Sequence, residues 1–369
     1  MTALAAAETS RDLAAAEVAA AGFLEALGIE LQTEHLRATP GRMDRAWAEM
    51  LTPREFDATT FPAAPGAWPP HRLAARRRGT SNGQEAPLST PASPEVPTTT
   101  FADGASIPLI GFGTGSAKGS AGADVIASAL RTGYRLLDTA AQYGNETAVG
   151  EGLRRSGVDL DEVLVTTKVA GGDHGREAAR TGILESLRRL GLEQLGIALI
   201  HWPNPSRGLA VDTWRTLLDL REEGLVLHAG VSNFRPEQLQ ELFDATGQWP
   251  EINQIQLSPA RPHEEADAFH REHGILTQAW GPLGTREGLS EQFAIRKVAA
   301  KHEVTIAQVA LRWAVDREIV VIPRSSDAGR QRLNLDLAAV RLDDEDRALL
   351  ASLDLGEESA WDSRTHEEW

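Results

Sequence analysis

The sequence predicts an α/β fold, a (β/α)8 TIM barrel, on three observations. Eight short apolar runs of strand length recur over about 270 residues, with helical patterns in most of the gaps. Three successive runs end on titratable groups: Arg135-Leu-Leu-Asp138, Val163-Leu-Val-Thr-Thr-Lys168 and Ile197-Ala-Leu-Ile-His201. Those closures lie 30 and 33 residues apart, about one βα unit. A doubly wound open sheet is the rival. It is disfavoured because Gly111-Phe-Gly-Thr-Gly-Ser, after the first strand, opens no helix in the Gly-x-Gly-x-x-Gly manner.

The elements follow in order. Residues 1–61 read as helical: an amphipathic run over 12–27 ends at Gly28, and Thr39-Pro40 reads as the N-cap and first residue of a second helix. Residues 62–97 hold eight of the nineteen prolines, with basic residues at Arg76 to Arg78, and read as a disordered linker. The barrel occupies 98–369. A short hairpin over 100–108 precedes a first strand at 109–114. Further strands are expected at 135–139, 163–169, 197–202, 227–232, 252–257, 276–279 and 319–322. Helices are expected at 123–132, 147–156, 177–190, 211–223 and 237–245, with two more at 291–302 and 305–316.

Composition narrows the function. The 369 residues are 41% hydrophobic and 24% charged, as in a globular protein. No run approaches the roughly 20 apolar residues that span a bilayer, and no secretory segment opens the chain. With no cysteine, disulfides and thiolate metal sites are excluded, and cytoplasm is the expected compartment. A formal charge of −16 argues against nucleic-acid and membrane-surface partners. The only lysines are Lys118, Lys168, Lys297 and Lys301, and the only tyrosines Tyr134 and Tyr143. A lysine closing a buried strand stands out in so lysine-poor a chain.

Strand ends in such a barrel gather at one mouth, which would bring Asp138, Tyr143, Lys168 and His201 together. Singly, each has a plain structural explanation: a capping carboxylate, a surface charge, a satisfied histidine, a packed ring. Together they suit proton donation to a carbonyl oxygen while hydride reaches its carbon. A tyrosine with an ordinary pKa of about 10 is a weak acid, and a nearby ammonium is expected to lower that value. A buried lysine needs a carboxylate, which Asp138 can supply. His201 can hydrogen-bond a substrate oxygen. The set contains no metal triad and no paired nucleophile.

The segment Gly133-Tyr-Arg-Leu-Leu-Asp-Thr-Ala-Ala-Gln-Tyr-Gly-Asn-Glu146 resembles the signature of the aldo-keto reductases. So do Thr166-Thr-Lys168, Leu199-Ile-His-Trp-Pro203, Gly230-Val-Ser-Asn-Phe234, Asn253-Gln254 and Val321-Ile-Pro-Arg-Ser325, covering residues 98 to about 357 in order. The resemblance implies a barrel that binds NADP(H), with Tyr143 as general acid, Lys168 and Asp138 tuning it, and His201 positioning the carbonyl of a small-molecule substrate. It implies that Ser232, Asn233 and Gln254 hold the nicotinamide carboxamide, and that Trp280 stacks on the ring. Gly281, Leu283 and Gly284 belong to a loop resembling the one that runs past the pyrophosphate.

At the adenosine phosphate the match continues through Arg324, Ser325, Arg330 and Asn334, with departures. Arg324 stands for a usual lysine, Asp327 adds negative charge, and Leu333 replaces a glutamate. NADPH is expected over NADH. The short segment Asn204-Pro-Ser-Arg-Gly208 is similar to that of bacterial diketogulonate reductases. Gly115 stands where many members carry an aromatic, which implies a roomier mouth. Trp361 and Trp369 either close over the pocket or lie in a frayed tail.

A separate resemblance covers residues 18–61, where Phe23-Leu-Glu-Ala-Leu-Gly-Ile and Glu34-His-Leu-Arg-Ala-Thr-Pro-Gly-Arg42 look like the helical N-terminus of GTP cyclohydrolase I. The zinc ligands and GTP pocket of that family are absent, so a remnant without cyclohydrolase activity is expected. The leading expectation is a monomeric NADPH-dependent carbonyl reductase. The alternative is an NADP(H)-binding sensor or regulatory subunit on the same barrel.

Overall fold

The computed structural model describes residues 96–356 and 361–368. The expected N-terminal helices and nearly all of the proline-rich linker fall outside them. Strands β1 (Thr98–Thr100) and β2 (Ser106–Pro108) pair antiparallel as a hairpin, as expected. Eight parallel strands follow: β3 (Phe112–Gly113), β4 (Leu136–Asp138), β5 (Leu164–Val169), β6 (Leu195–Ile200), β7 (Val226–Ser232), β8 (Ile252–Gln256), β9 (Leu276–Trp280) and β10 (Val320–Val321). Each pairs with its sequence neighbour. A parallel bridge joins Ile110 to Val321, with Gly111 N donating to Val321 O at 2.8 Å and Val321 N to Leu109 O at 2.8 Å. These bonds tie the first strand to the last, as barrel closure requires.

Helices α1 (Gly119–Thr132), α2 (Glu146–Ser156), α3 (Arg176–Leu190), α4 (Ala210–Glu222), α5 (Pro236–Thr246), α6 (Glu264–Glu272), α7 (Phe293–Lys301), α8 (Ile306–Val315), α9 (Ala328–Leu335) and α10 (Asp344–Ala351) complete the described chain. The one-face apolar stripe that predicts helices is plain in α8, which buries Val309, Ala310, Leu311, Ala314 and Val315 behind a Thr305–Gln308 capping box.

Three helices have no counterpart among those expected, and two of them explain why. Helix α6 buries Asp267 and His270 rather than a hydrophobic stripe, and α9 buries Gln331 and Asn334 beside Leu335. Apolar periodicity is blind to a helix whose inner face is polar. Among strands, the expected 109–114 shortens to Phe112–Gly113 plus the Ile110 bridge.

The hairpin packs at the end of the barrel opposite the mouth. Phe101 is buried and stacks on His228 with ring centroids 3.7 Å apart. Asp103, His228 and Glu251 converge there, and Arg221 donates to Glu251 at 2.6 Å, so the local negative charge is answered by the protein.

Candidate active site

The four expected residues meet at the mouth. Asp138 ends β4, Lys168 is the penultimate residue of β5, and His201 directly follows β6. Tyr143 sits in a single 3-10 turn (Ala141–Tyr143) after β4. Lys168 Nζ donates to Asp138 Oδ1 at 2.7 Å and to Thr139 O at 2.9 Å, with its side chain fully buried. The same ammonium lies 5.2 Å from the centre of the Tyr143 ring, and Tyr143 meets His201 edge to face at 5.8 Å. Parallel register explains the convergence, since Asp138, Thr166 and Ile197 are successive partners across β4, β5 and β6.

The turn carrying Tyr143 is stapled from both sides. Gly144, in the left-handed region at φ 61°, ends it at no steric cost. Asn145 Nδ2 then donates to Thr114 O at 2.8 Å, and its Oδ1 accepts from Thr139 Oγ1 at 2.7 Å. Glu146, also buried, accepts from Thr167 Oγ1 and from Arg189 Nε, each at 2.6 Å. The Gly-Asn-Glu end of the signature thus fixes the tyrosine to β3 and β5.

Electrostatics correct one expectation. Burial pushes the Tyr143 hydroxyl above its ordinary pKa, and the nearby Lys168 offsets only part of that rise. The ammonium acts in the expected direction, but against a larger desolvation effect. For Lys168, burial favours the neutral amine, yet Asp138 and Tyr143 outweigh it and hold the pKa above the usual lysine value. Burial pushes the His201 imidazole below its ordinary value, and Lys168 adds to that.

The carboxamide candidates form one chain beside these groups. Gln254 Nε2 donates to Asp138 Oδ2 at 2.7 Å and to Gln278 Oε1 at 2.6 Å, while Ser232 Oγ donates to Gln254 O at 2.9 Å. Asn233 adopts φ 64°, a conformation asparagine tolerates, and its Nδ2 donates to His201 O and Ser232 Oγ, each at 3.0 Å. Trp280 Nε1 in turn donates to Asn233 Oδ1 at 2.8 Å. Asn233 therefore orients the tryptophan, a link the sequence did not suggest.

A cavity of about 660 Å³ joins these residues. Asp138, Tyr143, His201, Ser232, Asn233, Gln254, Trp280, Gly281, Leu283 and Arg324 line it, with Lys168 buried beneath. Gly284, Ser325, Arg330 and Asn334 are not in that wall. Asn334 is buried and hydrogen-bonds Tyr134. Ser325 Oγ accepts from Asp327 N at 3.1 Å, and Arg330 is exposed. Asp327 is the N-cap of α9, its Oδ1 accepting from Arg330 N at 2.8 Å, so helix capping accounts for its presence. A Cβ at Gly115 would stand 3.6 Å from the Tyr143 ring, so the glycine does leave space beside the tyrosine.

The C-terminal segment 361–368 brings Trp361 to the cavity wall, one of the two alternatives expected for it, and adds Glu368, which the sequence did not signal. Trp361 lies in the mouth, 5.9 Å from the Trp202 ring and 6.2 Å from Trp280, with Arg286 5.1 Å from its face. Trp369 is outside the described residues. Glu368 Oε1 lies 2.7 Å from His201 Nδ1, at an angle poor for a hydrogen bond, and its Oε2 accepts from Gly171 N at 2.8 Å. No periodicity links position 368 to position 201, so only the traced chain reveals that pair.

The aldo/keto reductase family pattern matches residues 109–355. A 2,5-diketo-D-gluconic acid reductase B of Corynebacterium sp. is 43% identical over 275 residues, 74% of this chain and 99% of that protein. The methylglyoxal reductase DkgA of Escherichia coli is 38% identical over 255 residues, 69% of this chain and 92% of its own. Among solved structures, a mutant of Gox0644 in complex with NADPH matches with a TM-score of 0.70 at 36% identity, covering 74% of this chain and 99% of that one. With its buried Lys168–Asp138 pair beneath a tyrosine at the mouth of a parallel barrel, the chain belongs to the aldo/keto reductase family.

Proposed function

We propose that the protein reduces an aldehyde or ketone to an alcohol with NADPH. The observation that carries this reading is the Lys168–Asp138 ion pair at 2.7 Å, set under the Tyr143 ring at the wall of an open cavity. The NADPH-bound relative supports the cofactor, and the reductase names of the relatives support the substrate class.

The donor set in the cavity fits a nicotinamide dinucleotide. Gln254 spends its amide protons on Asp138 and Gln278, which leaves Oε1 to accept from a carboxamide N–H. Asn233 retains a second lone pair on Oδ1, and Ser232 adds a hydroxyl. Trp280, oriented by Asn233, offers a ring face, and Gly281 and Gly284 take left-handed conformations at φ 66° and 52° in the loop that follows. Arg324, exposed and cationic, is the phosphate-facing group, with Ser325 and Arg330 near it in sequence. Asn334, buried against Tyr134, acts toward the cofactor through the placement of α9. Bound there, NADPH supplies the hydride.

The rest of the chemistry belongs to the chain. Tyr143 donates its hydroxyl proton to the carbonyl oxygen as negative charge develops on it. Lys168 stabilises the phenolate left behind, and Asp138 keeps Lys168 charged inside the barrel. His201 flanks the same oxygen. Residues 98–369 form the catalytic unit, which acts as a monomer in the cytoplasm. The preceding GTP cyclohydrolase I-like remnant and its linker take no part in turnover. Among the described residues no helix is long and apolar enough to cross a membrane.

NADPH consumption against a panel of aldehydes, ketones and α-keto compounds tests this, run on the full chain and on a chain lacking residues 1–95. Equal turnover by both is expected. Tight NADPH binding with no turnover on any carbonyl would favour a cofactor sensor instead.

A further inference from the structure

Strand β8 carries two amides that face opposite ways, as the two-residue period of a strand requires. Gln254 turns into the barrel and donates to Asp138. Asn253, one residue earlier, turns outward toward helix α6 and is buried there. Its Nδ2 donates to Phe234 O at 2.8 Å and meets His270 Nε2 at 3.0 Å. Its Oδ1 has no partner among the described residues, so those two bonds alone hold the amide. On β9, Thr277 stands beside Asn253 in the parallel register and meets His270 Nδ1 at 2.9 Å. The imidazole is thus gripped at both nitrogens between two strands, and it is fully buried.

The protons of this network have one consistent arrangement. Phe234 O can only accept, so the amide nitrogen of Asn253, and not its oxygen, faces it. The second hydrogen on Nδ2 then points at His270 Nε2, which must accept. Burial pushes the ring pKa down to about 4, so at neutral pH it carries a single proton, and that proton sits on Nδ1. Nδ1–H donates to Thr277 Oγ1, whose hydroxyl donates to Asp267 Oδ1 at 2.9 Å. Arg271 and Arg317 donate to the other oxygen of Asp267 at 2.7 and 3.1 Å.

The far end of the network is Phe234 O, in the turn that leaves β7. Phe234 is buried, so an unpaired carbonyl there would be costly. The residue before it, Asn233, is the one held at φ 64°, with its side chain orienting Trp280. We propose that His270, which lies outside the cavity wall, is a positioning residue for the cofactor: its Nε2 fixes Asn253, which fixes the Asn233–Phe234 turn and so the Trp280 ring against the nicotinamide. The role rests on the reading above that Asn233 and Trp280 meet that ring, whereas the proton arrangement does not.

Two substitutions divide the functions of the imidazole. His270→Gln can place an oxygen near Nε2 and keep the acceptor for Asn253. His270→Asn, one bond shorter, reaches only the Nδ1 side toward Thr277. Kd is measured on the full chain for NADPH and for adenosine 2′,5′-bisphosphate, which lacks the nicotinamide half. In His270→Asn the NADPH Kd should rise about tenfold, the size of one buried hydrogen bond, while the bisphosphate Kd stays within about twofold. His270→Gln should keep both near wild type. Equal losses for both ligands, an unchanged NADPH Kd in His270→Asn, or a loss in His270→Gln as large as in His270→Asn each overturns the positioning role. Long-range ¹⁵N–¹H spectra of histidine-labelled wild type read the arrangement without any change at His270, with Thr277→Val shifting and so identifying its Nδ1. A proton on Nδ1 is expected, and one on Nε2 overturns the proposal. Trp280→Leu tests the underlying reading separately. An unchanged NADPH Kd there removes the nicotinamide from this wall, whereas a loss there with none in His270→Asn overturns the positioning role alone.

Discussion

The mouth of the barrel and the loop at its last strand are held together in opposite ways. At the mouth, Lys168, Asp138, Asn145 and Glu146 are buried, and each is tied to at least one other strand or loop. In the segment after β10, Arg324, Asp327 and Arg330 are exposed, and Asp327 and Arg330 bond each other within one turn. A charge inside the barrel must be paired to persist there, which restricts what a sequence can place at those positions. A surface phosphate site needs only net positive charge, so arginine can stand for lysine and an N-cap aspartate can sit beside it. The departures from the family pattern fall where the physics tolerates them.

Substitutions at the two ends should therefore separate cleanly. Lys168→Met strands the Asp138 carboxylate with Gln254 as its remaining side-chain donor. It should lower unfolding free energy in urea by about 3–5 kcal/mol, and turnover by at least ~100-fold. A loss under 1 kcal/mol would show that the pair is not buried in solution.

Acid should weaken the protein from within. Burial pushes His174 and His270 down to about 4 from the ordinary 6.5. Between those values the unfolded chain binds protons that the folded one refuses, so their contribution is complete above pH 6.5 and lost as pH falls toward 4. The loss is about 3 kcal/mol per histidine at its limit, and His270→Gln should flatten the pH dependence of Tm in that window.

At the other end the effects shrink. Arg324→Ala should weaken NADPH binding about tenfold while leaving NADH binding and stability unchanged, as loss of one charge-assisted contact predicts. Smallest is Asp327→Asn, which keeps the α9 cap but removes its charge. Tm should stay constant and NADPH affinity rise about two- to threefold, as for an exposed ion contact. A fall in Tm would mean that the carboxylate has a structural role beyond capping.

The sequence shows its barrel where strands are apolar and helices amphipathic, and hides it where burial is polar. Strand ends at Asp138, Lys168 and His201 announce themselves because a titratable group closing an apolar run is conspicuous. Helices α6 and α9 stay hidden because Asp267, His270, Gln331 and Asn334 occupy their inner faces. At Tyr143, spacing reveals the ammonium that lowers the hydroxyl pKa but not the depth of burial that raises it by more. Glu368 was invisible, since a long-range contact from an irregular tail leaves no periodic trace.

The account turns on Tyr143 as the proton donor. Tyr143→Phe removes one oxygen and keeps the ring packed against His201 and over Lys168. Measured side by side, carbonyl turnover should fall by about 10²–10⁴-fold, the range for loss of a general acid, and NADPH Kd should stay within about twofold because none of the proposed cofactor contacts is touched. Turnover within a few-fold of wild type would contradict the assignment outright.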